Sequence, residues 1–317
     1  MTLRKVFEDT ASRRPAAIAL RYHREQAWQS RTYEALMLGV RQMAEAFGRL
    51  GLKPVTERVA LMLENGPEWI ESYLATSGAG VAVVPIDPKL RAAEVAFILN
   101  DSEAVAVLTD TRHLDMLEMI LTGLPQVRFL VVTDGAGEHP ATVAGRSCHD
   151  YETLRAGVAN EPLFWYAGHR PEPQNIASII YTSGTTGTPK GAMLTHLNFC
   201  SDAFGSFDAL GDAITAEDDF LVVLPLFHAF SFTANFVVPL IKGCGMFFVE
   251  SLRSVGEDIR TLRPSILIAV PLLVEKMFNK IDDKLKRNRI ARLLFRLGLG
   301  HWVGKKVLKG LGGRLRF

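Results

Sequence analysis

The residues best suited to chemistry form one run near the middle of the chain: Tyr181-Thr182-Ser183-Gly184-Thr185-Thr186-Gly187-Thr188-Pro189-Lys190-Gly191. Every residue between Tyr181 and Pro189 is Gly, Ser or Thr, and the run follows directly on the apolar stretch Ile176 to Ile180. Glycines let a backbone approach an anion closely and take positive φ. Successive backbone N–H groups can then converge on phosphate oxygens. The hydroxyls add donors, and Lys190 adds a compact positive charge. This is the composition of a loop that wraps a polyphosphate. Chemistry on ATP needs such a cradle, because charge developing on pyrophosphate must be met by prearranged donors. The order is not that of a Walker loop, since Lys190 is followed by Gly191 and Ala192. The competing reading is a flexible Gly/Thr surface loop.

Three further constellations carry weaker signals. In Leu224-Pro225-Leu226-Phe227-His228-Ala229-Phe230-Ser231-Phe232 one histidine stands among aromatic residues just after an apolar run. It suits a pocket for an apolar substrate with a polar reacting end, but a histidine in such surroundings is more often a satisfied core residue. Val270-Pro271, after Ser265 to Ala269, reads first as a strand-to-helix junction. From Lys284 to Phe317 there are eleven Lys/Arg and no Asp/Glu, interleaved with Leu, Ile, Val, Phe and Trp. Such a stretch can lie in a membrane interface, or it can be the solvated face of an ordinary helix. Nucleic acid is the poorer partner: the tail has no recognition motif, and the rest of the chain holds 25 basic against 34 acidic residues.

The elements that must position these groups follow from composition and period. A chain of 317 residues, 48% hydrophobic and 22% charged, has room for about two α/β modules. Thr32 caps a helix with Leu36, Val40, Met43, Phe47 and Leu50 at a 3.6 period, and Gly51 stops it. Apolar runs at 58–63, 80–86, 104–109 and 127–132 then alternate with helical stretches at 68–77, 91–99 and 111–121. That alternation predicts a parallel sheet covered on both faces. Residues 133–175 read as loop with one short helix. The pattern resumes with strand 176–181, the glycine loop and a helix from His196 capped by Thr195. Strands at 220–224, 246–249 and 265–269 follow, with helices at 230–240, 251–262 and from Pro271. The expected fold class is α/β, two parallel-sheet subdomains packed together. Residues 57–200 form the first, with the phosphate loop; 1–56 and 201–317 form the second, with the basic helical tail. Three scattered cysteines (Cys148, Cys200, Cys244) make no disulfide framework or metal pattern, so a reducing compartment is expected. The N-terminus lacks the apolar core of a secretory signal, and no apolar run reaches the ~18–20 residues of a spanning helix.

Taken together, the quoted motifs resemble the adenylate-forming superfamily of acyl-CoA synthetases, amino-acid adenylation domains and beetle luciferases. YTSGTTGTPKGAMLTHLN is similar to that family's phosphate-binding signature and LPLFHAFSF to its second core motif. RVALMLENGPEWIESYLATSGAGVAVVPIDP resembles its N-terminal region, and PSILIAVPLLVEKM the strand-turn-helix before the nucleotide pocket. Among members it most resembles the long-chain fatty acyl-CoA or acyl–carrier-protein synthetases.

The resemblance implies the large N-terminal domain of that fold and a two-step ligase reaction. A carboxylate attacks the α-phosphorus of Mg·ATP to give acyl-AMP and pyrophosphate, and a thiol such as coenzyme A then displaces AMP. It also implies site residues. Thr182, Ser183, Gly184, Thr185, Thr186, Gly187 and Lys190 would hold the β- and γ-phosphates. His228 would stand near the acyl carboxylate and α-phosphate, making His228 and Lys190 the catalytic pair. Phe227, Phe230 and Phe232 would line the acyl pocket; no metal ligand is singled out. The cofactors implied are ATP, Mg²⁺ and coenzyme A as co-substrate. The partner implied is a small carboxylic acid, a fatty acid first, with cytoplasmic localisation and peripheral membrane contact through 284–317.

The chain departs from the family in lacking its Tyr-Gly-x-Thr-Glu segment, its ribose-binding Asp, its hinge and its C-terminal domain with the catalytic Lys. The expectation is therefore a ligase by descent, truncated and inactive as it stands. The alternatives are a non-catalytic remnant, or half of a split enzyme that binds nucleotide or lipid with a C-terminal half as partner. A synthetase for an aryl or short-chain acid, or an acyl–carrier-protein ligase, stays open.

Overall fold

Helix α2 (Tyr33–Arg49) shows how local sequence sets the scaffold. Thr32 Oγ1 accepts a hydrogen bond from the Ala35 N–H at 3.2 Å, and Leu36, Val40, Met43 and Phe47 are wholly buried. Beyond the helix Gly51 takes φ of 77°, a left-handed turn that an L side chain resists. Before it come α1 (Leu3–Arg13) and the hairpin of β1 (Ile18–Arg24) and β2 (Ala27–Thr32).

The computed structural model describes residues 1–134, 137–182, 189–210, 213–287 and 300–316. After α2 the chain alternates as its apolar runs predict: β3 (Arg58–Leu61), α3 (Pro67–Gly78), β4 (Ala82–Pro85), α4 (Ala92–Asp101), β5 (Ala106–Thr109), α5 (Leu114–Leu121) and β6 (Phe129–Val132). The weakly patterned stretch holds more structure than expected: β7 (Thr142–Val143), β8 (Arg146–Asp150), α6 (Tyr151–Ala156) and α7 (Phe164–Gly168). Next come β9 (Ile176–Thr182), β10 (Lys190–Thr195), α8 (His196–Leu210) and β11 (Asp219–Val222). The run Ala229 to Lys242 comprises α9 (Ala229–Phe232), a π-helical turn Thr233–Val237 and α10 (Val238–Lys242). The widened turn suits Pro239, whose ring would crowd the carbonyl four residues back in a regular helix. Then follow β12 (Gly245–Phe248), α11 (Val255–Leu262), β13 (Ile266–Leu267), α12 (Pro271–Arg287) and a last helix, Gly300–Gly310.

Among the described residues these strands make two sheets. One has the order β10-β9-β4-β3-β5-β6-β8-β7, the other β13-β11-β12-β1-β2. Neighbours are parallel except in the three hairpins β1–β2, β7–β8 and β9–β10. One apolar cluster draws residues from both sheets and from the helices between them: Val59 and Val83 from the larger sheet, Phe220 and Met246 from the smaller, Trp69 and Phe236 from the helices. Burial of this kind is the main stabilising term.

Candidate functional site

In open α/β sheets, ligands bind beyond the carboxyl ends of strands, where strand order reverses. Here the reversal falls at β3, flanked by β4 and β5, and at β11, flanked by β12 and β13. The segments leaving these two strands meet. Asn65, beyond β3, donates from Nδ2 to the Leu224 carbonyl at 2.9 Å, and its Oδ1 accepts from the Leu226 N–H at 2.9 Å. The His228 motif thus begins at the switch point of one sheet and is held by the switch point of the other.

Within that motif the side chains have different surroundings. His228 is exposed and N-caps α9, with its carbonyl accepting from the Phe232 N–H at 2.8 Å. Phe227 is buried against the His228 ring, at 4.6 Å between centroids. Phe230 is 65% exposed. Phe232 has no exposed surface: its ring lies 4.7 Å from Tyr73, 4.6 Å from Phe199 and 5.0 Å from Phe236. Its position in this aromatic cluster makes it a packing anchor. Val270 and Pro271 follow β13, the parallel neighbour of β11.

The glycine run joins β9 to β10, so it is a hairpin loop rather than the strand-to-helix turn that the sequence suggested. Thr182 and Lys190 are cross-strand partners at its base, both exposed. Ser183, Gly184, Thr185, Thr186 and Gly187, named above as phosphate ligands, lie outside the described residues. Two side chains brace the base. The Tyr181 hydroxyl donates to Asp101 Oδ2 at 2.6 Å, and its ring meets Phe97 edge-on at 6.5 Å. Burial, then the Asp101 carboxylate, push the Tyr181 hydroxyl well above its ordinary range. Gly191 sits opposite Tyr181, and a Cβ there would come within 2.8 Å of Ile179 Cγ2 and 3.0 Å of Tyr181 Cζ. The last glycine of the motif is therefore needed because side chains lie across it. It takes no positive φ.

A second feature was not legible from motifs. A cavity of about 300 Å³ opens between the sheets, lined by Leu63 to Trp69, Asp110, Arg112, Asp134 and the end of β12. Its charged residues are largely paired: Arg24 with Glu68 at 2.6 Å, Asp110 with Arg112 and His113, and Lys89 with Glu64 at 3.3 Å. Deeper, the Glu71 carboxylate is fully buried. It accepts from Arg31 Nη1 at 2.7 Å and from the Tyr151 hydroxyl at 2.8 Å. Burial raises its proton affinity, against the pull of Arg31 and Arg155. This network fixes α3, and with α3 the Asn65 segment.

The sequence of residues 7–316 matches the profile of a family described as AMP-binding enzyme. The chain belongs to that family. Its relatives include the peroxisomal long chain acyl-CoA synthetase 7 of Arabidopsis thaliana, 28% identical over 82% of this chain and 39% of that protein. Another is the long-chain-fatty-acid–CoA ligase 6 of Mus musculus, 30% identical over 83% of this chain and 39% of that protein. The chain thus spans about two-fifths of the length of these curated relatives. Solved structures show the same fold. A putative long-chain-fatty-acid CoA ligase from Rhodopseudomonas palustris superposes with a TM-score of 0.73 at 21% identity, over 88% of this chain and 65% of that one. The adenylation domain of a Mycobacterium chelonae carboxylate reductase gives 0.80 at 19%, over 99% and 53%. In this AMP-binding family member the Gly/Ser/Thr run lies between β9 and β10, and the Leu224 to Phe232 motif follows β11.

Proposed function

We propose that this chain supplies the phosphate loop and the acid-facing histidine of an AMP-forming carboxylate–CoA ligase whose acid is a long-chain fatty acid. The observation that carries the reading is the hairpin itself. A Gly/Ser/Thr run between the paired Thr182 and Lys190, in a chain that matches the AMP-binding family over 7–316, supports a role in gripping nucleotide phosphates. The names of the relatives supply the acid class.

In this reading Lys190 and the loop N–H and hydroxyl groups hold the β- and γ-phosphates, and His228 meets the fatty-acid carboxylate. The carboxylate oxygen bonds to the α-phosphorus and pyrophosphate leaves, its charge neutralised by Lys190 and the loop. The coenzyme A sulfur then attacks the acyl carbonyl and AMP departs. Mg²⁺ bound to the nucleotide phosphates would add to the charge neutralisation that Lys190 supplies. No helix among the described residues is long and apolar enough to cross a membrane. Exposed Lys305, Lys306 and Lys309 on the last helix suit peripheral contact with anionic lipid.

ATP binding followed by saturation-transfer NMR tests the core of this reading. ATP and pyrophosphate should compete, and Lys190→Ala should weaken both about tenfold, equivalent to about 1.4 kcal/mol. An absence of ATP signal, or indifference to Lys190→Ala, contradicts it. For the membrane contact, Lys→Glu at 305, 306 and 309 should abolish sedimentation with anionic vesicles at low salt; equal pelleting removes the idea.

A further inference from the structure

Asn65 answers a need that the His228 segment creates. Pro225 has no N–H, so the peptides flanking it present one donor, the Leu226 N–H, and two acceptors; the Pro225 carbonyl takes the His228 N–H at 3.3 Å, which leaves the Leu224 carbonyl and the Leu226 N–H. A carboxamide has the matching donor and acceptor, and both bonds form at 2.9 Å. The Leu224 carbonyl also accepts from Ser231 Oγ at 3.0 Å, and Ser231 Oγ in turn accepts from Asn235 Nδ2 at 3.3 Å. Downstream, Phe232 is held by the Tyr73 and Phe199 rings. The exposed His228 therefore stands between two anchors. The β3–α3 unit supplies the first through Asn65 and backs the second through Tyr73.

We propose that Asn65 is the positioning residue of the His228 segment. Its carboxamide fixes the peptides on both sides of Pro225, and with them the backbone from which the imidazole projects. The chemistry is specific to the amide. Aspartate would keep the acceptor for Leu226 but set an anion against the Leu224 carbonyl, glutamine is one methylene too long, and alanine has neither group. What His228 meets rests on the proposed function; that Asn65 positions it does not.

The experiment uses the isotopically labelled full chain as wild type, Asn65→Ala, Asn65→Asp and Thr32→Ala. The last removes the α2 cap and serves as a remote destabilised control. Two signals are followed: hydrogen exchange at the Leu226 amide and the Hε1 resonance of His228 across a pH titration. Asn65→Ala should speed Leu226 exchange at least tenfold and displace or split the His228 signal. Asn65→Asp should also displace it, and this near-isosteric change keeps the test decisive if the alanine variant folds poorly. Thr32→Ala should leave both signals in place. An unmoved His228 signal in the Asn65 variants, or the same displacement in Thr32→Ala, overturns the proposal. Separately, a His228→Ala chain that binds ATP and palmitate like wild type overturns the functional reading while leaving the positioning of His228 standing.

Discussion

Gly39 in α2 faces the buried Glu71 carboxylate, and one methyl group there should break an ion pair. A Cβ at Gly39 would lie 2.5 Å from Glu71 Cδ and 2.9 Å from Oε1, where ordinary contact begins near 3.4 Å. The carboxylate must retreat by about 1 Å, and it cannot do so while keeping Arg31 at 2.7 Å and Tyr151 at 2.8 Å. Breaking a buried pair costs about 3–5 kcal/mol. Glycine to alanine inside a helix ordinarily gains about 0.5–1 kcal/mol. Gly39→Ala should therefore destabilise by about 2–4 kcal/mol, against the usual sign. In a Glu71→Ala background the obstacle is gone, and the same change should stabilise by about 0.5–1 kcal/mol. Urea unfolding of the four proteins gives the coupling, which should be about 3 kcal/mol or more. Additive effects within 0.5 kcal/mol, or a neutral Gly39→Ala, would refute the steric account of how α2 and α3 lock.

Two other predictions follow from single residues. His196 is fully buried, and its Nδ1 accepts from the Leu3 N–H at 3.4 Å. Burial lowers its pKa from 6.5 to about 4. The unfolded chain therefore takes up this proton first, and stability should fall by about 3 kcal/mol as pH drops from about 6.5 to about 4. Melting curves of His196→Gln should lose that part of the pH dependence; an unchanged slope would contradict it. Gly191→Ala should displace the Tyr181 ring and cost about 1–3 kcal/mol by overpacking, with Tyr181 fluorescence and urea midpoints as the check. Full tolerance would mean that the ring does not lie across the glycine.

The alternation of apolar runs with helical stretches was enough to find β3 to β6, β9 and β11 to β13, because fully buried parallel strands read as unbroken apolar segments. The first 50 residues read as helices with a short β element, but the pairing of strands into hairpins is hidden for identifiable reasons. β10 is an edge strand of mixed Lys, Gly, Ala, Met, Leu and Thr, exposed or half-buried throughout, and only its pairing with β9 makes it a strand. The turns of β1–β2 and β7–β8 put Glu25, Gln26 and Ala144 at positive φ, without the Asn-Gly or Asp-Gly that announces such turns. The phosphate run and His228 stood out as motifs. Asn65 did not, because its role lies in two backbone groups about 160 residues away. Its Asn-Gly-Pro setting reads equally well as simple punctuation before α3. Phe232 reads from its motif as a pocket residue, and what the motif does not reveal is that its ring is fully buried among Tyr73, Phe199 and Phe236.

Amide hydrogen exchange with and without Mg·ATP tests the central claim most directly. The account predicts that ATP slows exchange in two segments, 181–191 and 224–228, and that Lys190→Ala removes both protections together. Protection confined to a remote surface, such as the face between α1 and α2, or no protection at all at saturating ATP, would contradict it.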